Sequence, residues 1–165
     1  MPDEETMEHA QEDLREGKSP STAAGEFVHE EMDHIREGKH GARSTKQAIA
    51  IGLSKARRAG IPLKPPAAGK ASAKTRKSAA SAYRKGQAKK KRRPSAKRSR
   101  AATQALKREG HSAASRKSLS RQAKSVARKR GSASRKQSAL KAARTRAAGR
   151  KGVVGKTGRS RRRAA

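Results

Sequence analysis

The chain has 165 residues, 45 of them Lys or Arg and 13 Asp or Glu, for a formal net charge of +32. Leu, Ile, Val and Phe number only 15, and 32 of the residues counted as hydrophobic are Ala, which argues against a single large core and against any enzyme fold needing a deep apolar pocket. Without Cys there is no disulfide, thiol nucleophile or Cys-zinc site, and no apolar run approaches the ~18 residues of a membrane-spanning helix. The charge is segregated: residues 1–37 hold 12 of the acids against three bases, a net −9, whereas residues 38–165 carry +41 with Glu109 as their only acid. The acidic start also lacks the basic-then-apolar layout of a signal peptide, so the expectation is a soluble intracellular polycation whose partner is a polyanion.

In chain order, the first predicted element is an acidic helix over 1–18, with Met7, Ala10 and Leu14 as a thin apolar stripe. Ser19-Pro20 then reads as an N-cap followed by Pro at the first helical position. The helix it opens carries Phe27, Val28, Met32 and Ile35. Ser44-Thr45-Lys46-Gln47 fits a capping box and starts the next helix, with Ile49, Leu53 and Ala56 on one face. Gly60-Ile61-Pro62 ends it with a cap glycine, an apolar residue able to fold back, and a helix breaker. Residues 19–63 are thus expected to form a short helical hairpin, marginal in core, which leaves room for a homodimer through it. A Pro/Ala/Gly linker follows over 64–71.

Residues 72–165 form a basic low-complexity tail rich in Ala, Ser, Lys and Arg. Its large apolar residues, among them Tyr83, Leu106, Leu119, Val126 and Leu140, make no stripe wide enough for a core. Ala, Lys and Arg favour helix, but like charges four residues apart oppose it in water, so the tail is expected to be largely disordered yet helix-prone when phosphates neutralise it. The fold class is therefore mainly α. Glycines punctuate the chain at helix-sized intervals (Gly17, Gly38, Gly60, Gly86, Gly110, Gly131 and Gly149), suiting left-handed caps. Residues 40–60 set against 111–131 match at eight of 21 positions, including His40/His111 and Gly60/Gly131, which fits either an internal repeat or shared low complexity.

The basic tail carries the strongest functional signal, because Lys and Arg that neutralise phosphates release condensed counterions. With one Phe, one Tyr and no Trp there is no base-stacking platform, so ordered single-strand or RNA-recognition modules are disfavoured and binding is expected through phosphates, without sequence preference. The expected contacts are Arg43, Lys46, Lys55, Arg57 and Arg58 on the hairpin. In the tail they are Lys89, Lys90, Lys91, Arg92, Arg93, Lys97, Arg98, Arg128, Lys129, Arg130, Arg161, Arg162 and Arg163. Three other motifs fail. Val153–Thr157 resembles the end of a phosphate-binding loop, but Gly149 stands one residue too far upstream. His29 and His34 lie five apart, ~140° round a helix, so they do not form a metalloprotease pair and no metal is expected. The twelve carboxylates of the head have no pocket to tune them, so no catalytic residue, cofactor or enzymatic activity is expected.

Gly25–Val28 and the block from His34 through His40-Gly41-Ala42-Arg43-Ser44-Thr45-Lys46-Gln47-Ala48-Ile49 to Gly60 resemble the signature of a family of small bacterial proteins defined as a domain of unknown function. The resemblance covers roughly residues 1–66, and the tail is similar in composition to those of linker-histone-like bacterial proteins. It implies a bacterial cytoplasmic or nucleoid setting and supplies no activity. The leading expectation is a nucleoid-associated, histone-like protein that binds double-stranded DNA. The alternatives are an RNA- or ribosome-associated binding protein, or an interaction adaptor acting through its acidic head. DNA is favoured over RNA as partner, and no membrane is expected.

Overall fold

A computed structural model describes residues 2–88 and 95–160. Among these the protein is mainly helical, without a strand: α1 (Glu4–Arg15), α2 (Pro20–Arg36), α3 (Thr45–Ala59), α4 (Ala73–Gln87), α5 (Ala96–Lys107), a 3-10 turn at Ser112–Ala114, and α6 (Arg116–Ser160). The local signals act where the sequence placed them. Ser19 Oγ accepts from Thr22 N at 3.3 Å, with Pro20 at the first helical position. Ser44 Oγ accepts from Gln47 N at 3.3 Å, while Gln47 Oε1 reaches back to accept from Arg43 N at 3.0 Å. Gly60 closes α3 at φ 106°, and Ile61 folds back to donate its N–H to Ala56 O while burying its side chain.

Two small clusters make the core. Ala10 of α1 joins Ala23, Ala24 and Phe27 of α2, Ala56 of α3 and Ile61, with Met7, Leu14, Leu53 and Leu63 packed around them. Met32 and Ile35 of α2 join Ala42, Ala48 of α3, and Ala113 and Ala114 of the 3-10 turn, with Val28, Ile49 and Leu119 alongside. Alanine suits both clusters, since helices with few large side chains can bury apolar surface only by approaching closely. At Gly52 the approach is so close that a Cβ would stand 2.8 Å from Phe27 O and Val28 Cα.

The compact unit is larger than the expected hairpin: it runs Met1–Ser120, and Arg121–Ala165 form a second unit. That division does not fall at the expected linker over 64–71. After the linker α4 packs on α3, burying Ala79 and Ala82, and a Cβ on Gly86 would run into the Arg57 carbonyl. Much of the region expected to be disordered is helical among the described residues, in keeping with the high propensities of Ala, Lys and Arg. Gly131 is non-helical within α6 at φ 73° and ψ 167°, a kink inside the helix in place of the left-handed cap expected there. Gly86→Ala is expected to detach α4 while sparing the hairpin. Amide exchange should lose protection over 73–87 and keep it over 20–36 and 45–59, and equal loss in both would show that the two fold as one.

The two segments that head the 40–60 and 111–131 match meet here. His40–Ser44 and His111–Ser115 both lead into N-capped helices, Ser115 Oγ accepting from Ser118 N at 3.2 Å, and the two segments lie against each other. Gly41 N donates to Leu106 O at 2.9 Å, Ala42 N to Gly110 O at 3.0 Å, and the buried Thr45 hydroxyl to Ala113 O at 2.7 Å. Arg36 Nε adds a bond to Ala114 O at 3.2 Å. Only glycine fits at position 41, because a Cβ there would collide with the backbone of Glu109.

Candidate nucleic-acid interface

The residues expected to meet phosphate divide sharply by placement. Arg43, Lys46 and Arg58 are exposed around α3. Lys46 lies in the first turn of α3, where the unpaired N–H groups of a helix start favour an anion. Lys97 and Arg98 are exposed at the start of α5, and Arg128, Lys129 and Arg130 are exposed on α6. Arg121, Lys124, Ser125, Arg128 and Lys129 line one shallow groove on α6, at the three- and four-residue spacing that places them on a single helix face. Lys89–Arg93 and Arg161–Arg163 lie outside the described residues.

Lys55 and Arg57 face inward and must be removed from the phosphate surface. Lys55 Nζ lies 3.1 Å from Glu30 Oε1 and 2.8 Å from Glu31 Oε2, and both glutamates are buried. Burial by itself would lower the Lys55 pKa, but the hydrogen bond and charge of Glu31, then those of Glu30, outweigh it and raise the value above normal. Arg57 is buried, donating through Nε to Leu63 O at 3.2 Å and through Nη1 to Leu53 O at 3.4 Å, and desolvation lowers its pKa. It tethers the chain after Gly60 to α3. Apolar spacing gave no sign of either role. The one available clue was that Glu30 and Glu31 stand between Phe27 and Met32 on the apolar-bearing part of α2, so that a basic partner on α3 would be needed to bury them.

The acids pair locally in several places. Lys18 bridges Asp13 and Glu16, each at 2.7 Å, Arg36 pairs with Asp33 at 2.9 Å and Lys39 with Glu37 at 2.9 Å. The exposed Glu4, Glu5, Glu8 and Glu12 of α1 form a negative surface apart from these pairs. No family model, curated protein or solved structure matches the chain. Among the described residues no helix is long and apolar enough to cross a membrane.

Proposed function

We infer that the protein binds double-stranded DNA through its phosphates, as a nucleoid-associated, histone-like polycation of the bacterial cytoplasm. One observation carries this reading: α4, α5 and α6 as far as Arg146 present exposed Lys and Arg among the described side chains, and after residue 37 the sequence supplies no acid but Glu109 to offset them. Such a surface gains affinity by counterion release and has little with which to read bases. Past Leu119, the described side chains of α6 from Arg121 to Ala143 include no buried residue and leave Leu140 61% exposed, which favours a tail that is dynamic when free and held helical by phosphate. The block from His40 to Gly60 adds no activity to this reading.

Sequencing the nucleic acid that copurifies from lysate prepared without nuclease tests it directly. Abundant genomic DNA is the expected result, and ribosomal RNA alone would transfer the reading to the ribosome-associated alternative. The acidic head is expected to compete with phosphate for the basic surface. Because α1 packs Met7, Ala10 and Leu14 into the core, the clean test neutralises its exposed acids and leaves the helix in place. Glu4, Glu5, Glu8 and Glu12 all changed to Gln should tighten DNA binding roughly 10-fold at low ionic strength and much less at 0.5 M salt. Unchanged affinity would retire the autoinhibitory role.

A further inference from the structure

The end of α2 and the loop after it contain a charge imbalance that the ion pairs do not close. Glu30 and Glu31 are both buried, and Lys55 is the one ammonium between them. Glu31 Oε2 faces Lys55, while Glu31 Oε1 has no hydrogen-bond partner and stands 3.4 Å from His40 Nε2. The far side of the His40 ring fixes its chemistry. His40 Nδ1 lies 3.2 Å from Gly41 O, and since a carbonyl only accepts, Nδ1 carries the proton. In the neutral ring, Nε2 then points a bare lone pair at a buried carboxylate oxygen. Two lone pairs then face each other across 3.4 Å, a contact closed either by a metal ion between them or by a second proton on the ring.

His34 completes the arrangement. One ligand atom each from Glu31, His34 and His40 lie within 4.8 Å of one another. His34 Nε2 is 3.2 Å from Asp3 Oδ2, and His34 Nδ1 is 3.8 Å from Glu30 Oε1. The rings of His34 and His40 stand edge to face with centroids 6.2 Å apart. We propose that Glu31, His34 and His40 form a binding site for a divalent transition-metal ion of the zinc type, tying the end of α2 to the 38–44 loop. Bonds of about 2.0–2.1 Å at a tetrahedral angle put neighbouring ligand atoms about 3.3 Å apart. The 3.4 Å between Glu31 Oε1 and His40 Nε2 matches that edge. The backbone carbonyl on Nδ1 is the outer partner that a metal-bound imidazole ordinarily has, and it fixes the required tautomer. An ion of charge +2 outweighs the residual negative charge of the two glutamates and satisfies the open lone pairs of Glu31 and His40 together. This site differs from the His29/His34 pair considered from spacing: His29 is 76% exposed and turned to Asp33 instead.

Calorimetric titration of the metal-stripped full-length protein with Zn2+ should show one ion per chain. His34→Gln and His40→Gln should each lower affinity by at least about 10-fold, as loss of even an outer partner commonly does. His29→Gln should leave it unchanged. Co2+ bound in place of Zn2+ should give visible tetrahedral d–d absorption in the wild-type protein, which keeps the test decisive if a histidine variant fails to fold. The absence of both Zn2+ binding and the Co2+ spectrum would overturn the site. So would equal losses in His29→Gln and His40→Gln, which would mark surface chelation. A His40 ring bearing both protons at pH 7 in the presence of Zn2+ would show that an imidazolium–carboxylate pair closes the cluster, and would overturn it equally.

Discussion

Removing residues 121–165 is expected to halve the salt dependence of DNA binding while leaving the folded unit intact. The deletion takes 17 of the 36 basic residues that follow residue 63, and the compact unit ends at Ser120. If the whole chain makes about ten phosphate contacts, log K falls with log salt at a slope near −9, and the shortened chain should fall at roughly −5. Between 50 mM and 200 mM salt the full chain then loses about five decades of affinity and residues 1–120 about three. The measurement is a salt series on both proteins against two unrelated duplexes, with near-equal slopes on the two duplexes expected for each protein. An unchanged slope after truncation would place the phosphate contacts on the folded unit. A strong preference of residues 1–120 for one duplex would mean that α1–α5 read sequence, and the phosphate mechanism would fail.

The second large effect is expected from Lys55→Met. The substitution keeps the aliphatic stem but leaves Glu30 and Glu31 side by side and buried without their ammonium. Breaking a buried ion pair from one side typically costs about 3–5 kcal/mol, because the remaining charge stays desolvated. That is a large share of the about 5–15 kcal/mol by which small domains are stable. Urea unfolding followed by circular dichroism should therefore show a much lower midpoint, and Lys55→Met combined with Glu30→Gln should recover part of it. A loss below about 0.5 kcal/mol would show that Lys55 is a solvated surface residue, and would restore it to the phosphate-facing set.

The helical hairpin was legible because its signals are local. Ser19 before Pro20, the Ser44–Gln47 box and the Gly60-Ile61-Pro62 stop each act within a few residues, and the structure uses all three. So was the overall charge polarity, since it depends on composition alone. The extent of the folded unit was not legible, because α4 and the 106–119 segment dock through alanines and backbone atoms. Ala79, Ala82, Ala113 and Ala114 bury little area each and look like low-complexity filler until a close-packed neighbour supplies the other half of the contact. Gly86 similarly resembled a cap glycine in a regular series, and Gly41 was only one residue of the block that leads into α3. Tertiary structure assigns both a different reason, the approach of another backbone to a point where no Cβ fits.

The candidate site divides along the same line. Sequence alone determined that the protein is a polycation with an acidic head, few apolar side chains and no stacking aromatics, because those properties are sums over residues. Which cations face the solvent was decided only by folding. Arg43, Lys46 and Arg58 stay outside, whereas Lys55 and Arg57 turn inward, although all five lie within one 16-residue stretch. Their direction depends on helical phase relative to α2 and on two glutamates 24 and 25 residues away in sequence from Lys55, and charge counting carries neither. The grouping of Glu31, His34 and His40 is likewise a product of tertiary structure: the turn after α2 returns His40 to the helix it has just left, across a separation that no ligand-spacing rule within one helix could have shown.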